Sequence, residues 1–123
     1  MTISITKTFE FWAAIPIIGR WIFSWLILFV SPYTASIPIR VQEITEDGCK
    51  TTLLDSFFTK NPFKSVHAAA LTNLGEATMG LAILGWCEQR MLRSIPTSLT
   101  VDFHSKAKGY LDVPLLLILT SPL

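Results

Sequence analysis

The spacing of hydrophobic positions changes along the chain, and each change predicts a different element. Residues 66–87 are almost all apolar or small, interrupted only by His67, Thr72, Asn73, Glu76 and Thr78. A helix apolar on nearly every side is a buried one, so this stretch predicts a long central helix. Gly75, Gly80 and Gly85 each cost about 1 kcal/mol against Ala inside a helix, which calls for a packing reason such as a sheet wrapped closely around it. Ser65 stands where an N-cap is expected, its hydroxyl placed to accept from the first turn.

Elsewhere the period falls to two. Ile37, Ile39 and Val41 alternate with Pro38, Arg40 and Gln42, which predicts a strand with one covered face, and Pro38 puts its start at a sheet edge. Glu46-Asp47-Gly48 reads as a turn and residues 49–58 as a second strand, giving an antiparallel hairpin with Asp55 on the solvent face. Lys60-Asn61-Pro62 breaks that strand. Beyond the helix, Glu88-Gln89-Arg90 and Arg93 form a polar exit. Leu99, Val101 and Phe103 then alternate with Ser98, Thr100, Asp102 and His104, a further half-buried strand. Ile37, Ile39, Val41, Leu99, Val101 and Phe103 are the expected interior of the sheet. Residues 105–109 form a basic turn or strand continuation, and residues 115–119 are an uninterrupted apolar run.

The N-terminal part is the most hydrophobic. Residues 1–8 read as a lead-in, and residues 9–30 have about the length that spans a bilayer, ~20 apolar residues being enough. Arg20 argues against a span, because a cation at mid-helix costs at least ~2.5 kcal/mol. Arg20, Ser24 and Ser31 fall on one stripe, with Ile18, Trp21, Ile22, Trp25 and Phe29 on the opposite face. The expectation is a peripheral amphipathic helix over residues 17–30, covering apolar surface at the sheet edge. Pro16 and Gly19 delay or kink its start, and Ser31-Pro32-Tyr33 stops it. This divides the chain into an N-terminal segment, 1–30, and a domain, 31–123. Peripheral membrane contact through residues 9–30 stays open as an alternative. So does a targeting peptide, which has a small-residue site at Thr34-Ala35-Ser36 but a weak charged start, Lys7 being offset by Glu10.

Composition narrows the function. At 123 residues the chain makes one ordinary domain, and with half its residues hydrophobic it leaves apolar surface for a partner. A net charge of +1 with interspersed signs excludes the basic stripe that nucleic acid requires. Cys49 and Cys87 have neither metal-ligand spacing nor the density of a disulfide scaffold. They read as reduced and partly buried, which suits an intracellular compartment, cytoplasmic or mitochondrial.

Three residues carry candidate chemistry. Glu76 is a carboxylate inside an apolar helix, a costly place with few structural justifications. Asn61 lies six residues before His67, and His67 nine before Glu76. Each also has an ordinary reading: Asn61 before Pro62 is a good turn residue, and a histidine at a helix start is more often structural than catalytic. Together, in the order hairpin, long helix, strands, they resemble the hotdog-fold acyl-CoA thioesterases. The likeness is to the phenylacetic-acid-degradation type and a related, largely fungal branch. It covers residues 31–112 and is carried by Pro32-Tyr33, Ser36-Ile37, residues 61–80 and Lys106-Ala107-Lys108-Gly109.

The resemblance implies an α+β hotdog fold, a long helix wrapped by an antiparallel sheet with an extra apolar N-terminal helix. It implies hydrolysis of an acyl-CoA thioester by a homodimer, with no cofactor beyond the coenzyme A of the substrate. The Ala68 amide would hold the oxyanion, and His67 and Asn61 would position the thioester. Glu76, its pKa raised by an apolar wall, would act as base or nucleophile. Lys106 and Lys108 would meet the coenzyme's phosphates, although exposed lysines at a strand end are ordinary. His67 and Glu76 are about 13 Å apart along one helix, so the family's site joins the oxyanion donor of one chain to the carboxylate of the other. Ala68 stands where most catalytic relatives have Gly, and Glu76 where Asp is commoner. The relatives' sheet continues for about two strands past residue 109, so the expectation is a sheet short of its final strands. A non-catalytic acyl-binding or membrane-associated protein on the same fold is the alternative function.

Overall fold

The structure, a computed structural model, describes residues 4–116. The hairpin forms as its alternation requires: β1 (Ile39–Ile44) and β2 (Gly48–Leu53) pair antiparallel, with Ile39 opposite Leu53 and Val41 opposite Thr51. The register shifts between Val41 and Glu43, where Gln42 is an extra residue. The Thr45 amide donates to the Gly48 carbonyl at 2.9 Å and closes the turn. β3 (Leu111–Leu116) takes the other side of β2, also antiparallel, so the sheet order is β1-β2-β3 with β1 at an edge, as Pro38 implies. The part of the apolar run at 117–119 lies outside the described residues.

The long helix α3 (Ala68–Glu88) joins β2 to β3 and runs unbroken through Gly75. Leu74, Ala77, Thr78, Leu81 and Ala82 face the sheet and are buried. Two threonines pin the layers together. Thr78 Oγ1 donates to the Leu74 carbonyl at 2.7 Å, so the Thr51 hydroxyl of β2 is the donor in the buried 2.6 Å contact with Thr78. Hydrophobic clusters lie at either end of this pin. One gathers Ile37, Ile39, Leu53, Val66, Ala70 and Leu74, and the other Phe9, Phe23, Val41, Ile44, Cys49 and Leu81.

The second cluster is completed by the N-terminal residues, which fold as two helices rather than one. α1 (Ile5–Ala13) forms where a lead-in is expected, and α2 (Gly19–Val30) follows a corner at residues 14–18. Pro16 and Gly19 do define this break. Ile17 adopts a positive φ of 70°, and a Cβ on Gly19 would lie 1.6 Å from the Trp12 carbonyl oxygen. Phe9 of α1 meets Phe23 of α2 edge to face, with ring centroids 5.1 Å apart. The far end of α3 holds α1 in place. Glu88 accepts from the Ser4 hydroxyl at 2.9 Å, from the Ile5 amide, and from the Thr6 amide at 3.3 Å, setting a carboxylate on the positive end of α1. No helix among the described residues is long and apolar enough to cross a membrane.

Several expectations are corrected. α2 lies along the edge of β1 with Ser24 of its polar stripe inward and Arg20 exposed: buried Ser24 accepts from the Val41 amide at 2.8 Å and donates to the Arg20 carbonyl at 2.8 Å. Its apolar face, Trp21, Trp25 and Phe29, is therefore exposed rather than applied to the sheet. Residues 98–104 form no strand. Leu99, Val101 and Phe103 are 47%, 38% and 52% exposed. A ladder needs a partner, and this segment pairs with none of the three strands, although β3 is paired on one side only among the described residues. α3 is also not buried all round, since Ala69, Glu76 and Leu84 are exposed. Of its glycines only Gly85 has the expected packing reason, with Ile44 Cγ2 3.3 Å from where a Cβ would sit. Nothing lies within 4 Å of such an atom at Gly75 or Gly80. The second strand ends at Leu53, and a 3₁₀ turn, Phe57–Thr59, follows it.

Two outcomes follow from this packing. Glu88→Ala strips the start of α1 of its acceptor, and a lost helix cap costs about 1–2 kcal/mol. Thermal unfolding should show a midpoint lower by roughly 3–8 °C, with circular dichroism at low temperature nearly unchanged. Cys49 and Cys87 are free and buried, and burial, with Glu43 nearby, pushes the Cys49 thiol up to about 12. Cys49 should resist iodoacetamide in native protein from pH 7 to 9, because the reactive thiolate is scarce below its raised pKa, and should label fully in denaturant.

Candidate functional site

The loop before α3 is built by Asn61. Its Oδ1 accepts from the amides of Phe63 at 2.9 Å and Ser65 at 3.2 Å, and its Nδ2 donates to Ser65 Oγ at 2.9 Å. This closed turn includes Lys64 at φ 59°. Asn61 therefore shapes the loop, and its side chain is engaged there rather than presented to a ligand. Lys60 and Val66 bridge across the turn, and the His67 amide donates to the Thr59 carbonyl at 2.8 Å.

This bracing sets His67, not Ser65, at the N-cap of α3. Its Nδ1 accepts from the Ala69 amide at 3.0 Å, so the proton of the neutral ring sits on Nε2, on an exposed side chain able to donate outward. The Ala68 amide finds no acceptor among the described residues. An unpaired N–H at the positive end of a helix of 21 residues is suited to developing negative charge. The basic segment joins the same corner: the Val66 amide donates to the Ala107 carbonyl at 2.8 Å, and the Lys106 ammonium lies 5.7 Å from the Phe63 ring centroid. Lys108 is exposed next to it.

Asn61, His67, Ala68 and Lys106 are thus brought together, and Glu76 is not. It sits about 13 Å further along α3, exposed, and forms no ion pair among the described residues. It borders a cleft of about 490 Å³ with Tyr33, Thr34, Thr72, Asn73 and Leu99. It also borders an apolar cleft of about 170 Å³ between α2 and α3, floored by Gly80. Asp55, read from the sequence as a solvent-facing residue, pairs with Lys60 at 3.4 Å.

Asn73 is the residue that sequence reasoning passed over. It is 6% exposed, and its Nδ2 donates to Ser36 Oγ at 3.1 Å and reaches the Tyr33 carbonyl at 3.5 Å. A carbonyl can only accept, which fixes the amide's orientation and leaves Oδ1 without a donor among the described residues. The available signal was a polar residue next to Glu76 in an apolar helix. Among the described residues, no three His, Cys, Asp or Glu side chains converge as a metal site.

No curated protein matches this chain in sequence. A crystal structure described as genomics APC5556 is similar in fold, with a TM-score of 0.67 and 24% identity, over 88% of this chain and 71% of that one. A long helix packed on a three-stranded antiparallel sheet, joining its second strand to its third, is compatible with a hotdog fold. The family model described as "Domain of unknown function (DUF4442)" matches residues 19–114, from the first residue of α2 into β3. That match spans most of the chain, which therefore belongs to the DUF4442 family.

Proposed function

We propose that this protein hydrolyses acyl-CoA thioesters as a homodimer. The observation that carries the reading is Glu76, a carboxylate on a helix among apolar and small neighbours, without an ion pair among the described residues, at the junction of clefts. The other half of the chemistry is at the helix start, where the Ala68 amide, without an acceptor among the described residues, can donate to an oxyanion and His67 Nε2 can donate to the thioester carbonyl. Lys106 and Lys108 stand beside that corner, suited to coenzyme A phosphates.

The ~13 Å between the two halves is too great for one carbonyl, so a second copy supplies the missing partner. The unpaired alternating segment with Leu99, Val101 and Phe103, beside the Glu76 cleft, is the surface this second copy would cover. Covering it also removes water from around Glu76. In the reaction Glu76 takes a proton from water as the oxygen bonds to the carbonyl carbon. The oxyanion rests on the Ala68 amide, and the intermediate collapses with release of coenzyme A thiolate, which is then protonated.

A panel of short, medium and long acyl-CoAs, with thiol release as the readout, tests this. Glu76→Gln should lower turnover by about 100-fold to 10,000-fold, as loss of a general base does. His67→Ala should lower it less, because the backbone donor survives. Glu76→Gln at full activity removes Glu76 from the mechanism. Wild-type protein that binds acyl-CoA without hydrolysing it supports the non-catalytic reading.

A further inference from the structure

The outward face of α2 is apolar along its whole length. Trp21, Trp25 and Phe29 recur on it every fourth residue, Trp25 71% and Phe29 90% exposed. The corner before the helix extends the surface with Ile17 and Ile18, and α1 adds Phe11. This orientation is held from inside. Ser24 bonds the edge of β1 and Phe23 fills the core, so the helix cannot roll its aromatic residues inward without losing both.

Within residues 11–42 the charged residues are Arg20 and Arg40, with no Asp or Glu, and the exposed Glu10 and Glu43 flank this stretch. Both guanidinium-bearing residues line a cleft of about 140 Å³ with Pro16, Ile17, Trp21 and Gln42, at the edge of the aromatic row. The Arg40 guanidinium lies 5.1 Å from the Trp21 ring centroid, and neither arginine forms an ion pair among the described residues.

We propose that this face rests in the surface of a phospholipid bilayer, with α2 in the membrane plane and Arg20 and Arg40 on lipid phosphates. Indole rings favour the boundary between hydrocarbon and water, where the ring is apolar and its N–H stays hydrated. α2 has 12 residues, about 18 Å, too short for a core of ~30 Å but suited to lying within the interface. A second copy docked through the same face would bring no carboxylate from residues 11–42 to meet the guanidinium groups, whereas lipid phosphate supplies an anion to both. This surface lies on α2, apart from the Leu99–Phe103 side assigned to the second copy, so the proposal stands whether or not the protein is a hydrolase.

The test is flotation of the whole protein with unilamellar phosphatidylcholine vesicles, with and without phosphatidylglycerol, alongside tryptophan quenching by brominated lipid. Wild-type protein should float with the vesicles and be quenched, more completely when phosphatidylglycerol is present. Trp25→Phe should keep the binding and lose much of the quenching. The double variant Trp25→Ser, Phe29→Ser should weaken partitioning by more than about tenfold, since it removes two large apolar contacts. Its circular dichroism melt shows whether it is folded, and if it is not, the quenching difference in Trp25→Phe decides. Wild-type protein that ignores both vesicles overturns the proposal, as does a folded double variant that binds as well as wild type. If wild-type protein stays off vesicles while light scattering shows the double variant reduced to a smaller species, a second copy covers this face and the lipid proposal fails.

Discussion

An edge strand has to find partners for the backbone groups that its sheet neighbour does not use, and in this protein one hydroxyl meets that need. Ser24 accepts from the Val41 amide on the open side of β1, just before the register shift at Gln42. Much of the N-terminal structure depends on this bond. It fixes the rotation of α2 and so puts Phe23 where it meets Phe9, which draws α1 into the cluster with Ile44, Cys49 and Leu81. α1 and α2 are thus part of the core rather than an addition to it. The same rotation faces Trp25 and Phe29 outward.

That rotation also shows where the sequence is legible. The hairpin, its turn at Gly48, the edge position of β1 and the long helix all follow from local rules: periods of two and of all-round apolarity, and the breaks at Pro16, Gly19 and Pro62. The amphipathic pattern of α2 was equally visible. Which side faced the protein was not, because a pattern gives the angle between two faces and says nothing of the acceptor-hungry strand edge that chooses between them. Residues 98–104 fail for a related reason. Alternation makes a segment fit to be a strand, but a ladder also depends on where the rest of the fold carries that segment, which no local pattern records. His67 displaced Ser65 as the cap because a loop tied by Asn61 carries the turn two residues further before the helix begins.

The arrangement of the candidate site was not legible in the sequence. Asn61, His67 and Glu76 can be picked out by type and spacing, and Ala68 enters only through the family resemblance. The structure separates them into a side chain that builds the loop, a cap that orients an amide, an unpaired donor, and a carboxylate more than two turns away. Glu76 is also less confined than an apolar helix implies, because α3 turns a face of small residues away from the sheet. A distance of this size keeps Glu76 and the Ala68 amide from reaching one carbonyl within a single chain. Asn73 was missed because its role lies in a contact with the Tyr33–Ser36 bend, which no local pattern records.

The contact between Glu88 and the start of α1 joins residues 84 positions apart, Ser4 to Glu88. A ribosome adding about 5–20 residues per second takes roughly 4–17 s to make the stretch between them. For that interval α1 has no acceptor at its N-terminus, and Phe9 and Phe23 have no Leu81 to pack on. The hydrophobic helices α1 and α2 therefore leave the exit tunnel before the helix they pack on and wait for it. The nascent chain is most open to chaperones, or to a nearby lipid surface, before the long helix α3 has been made.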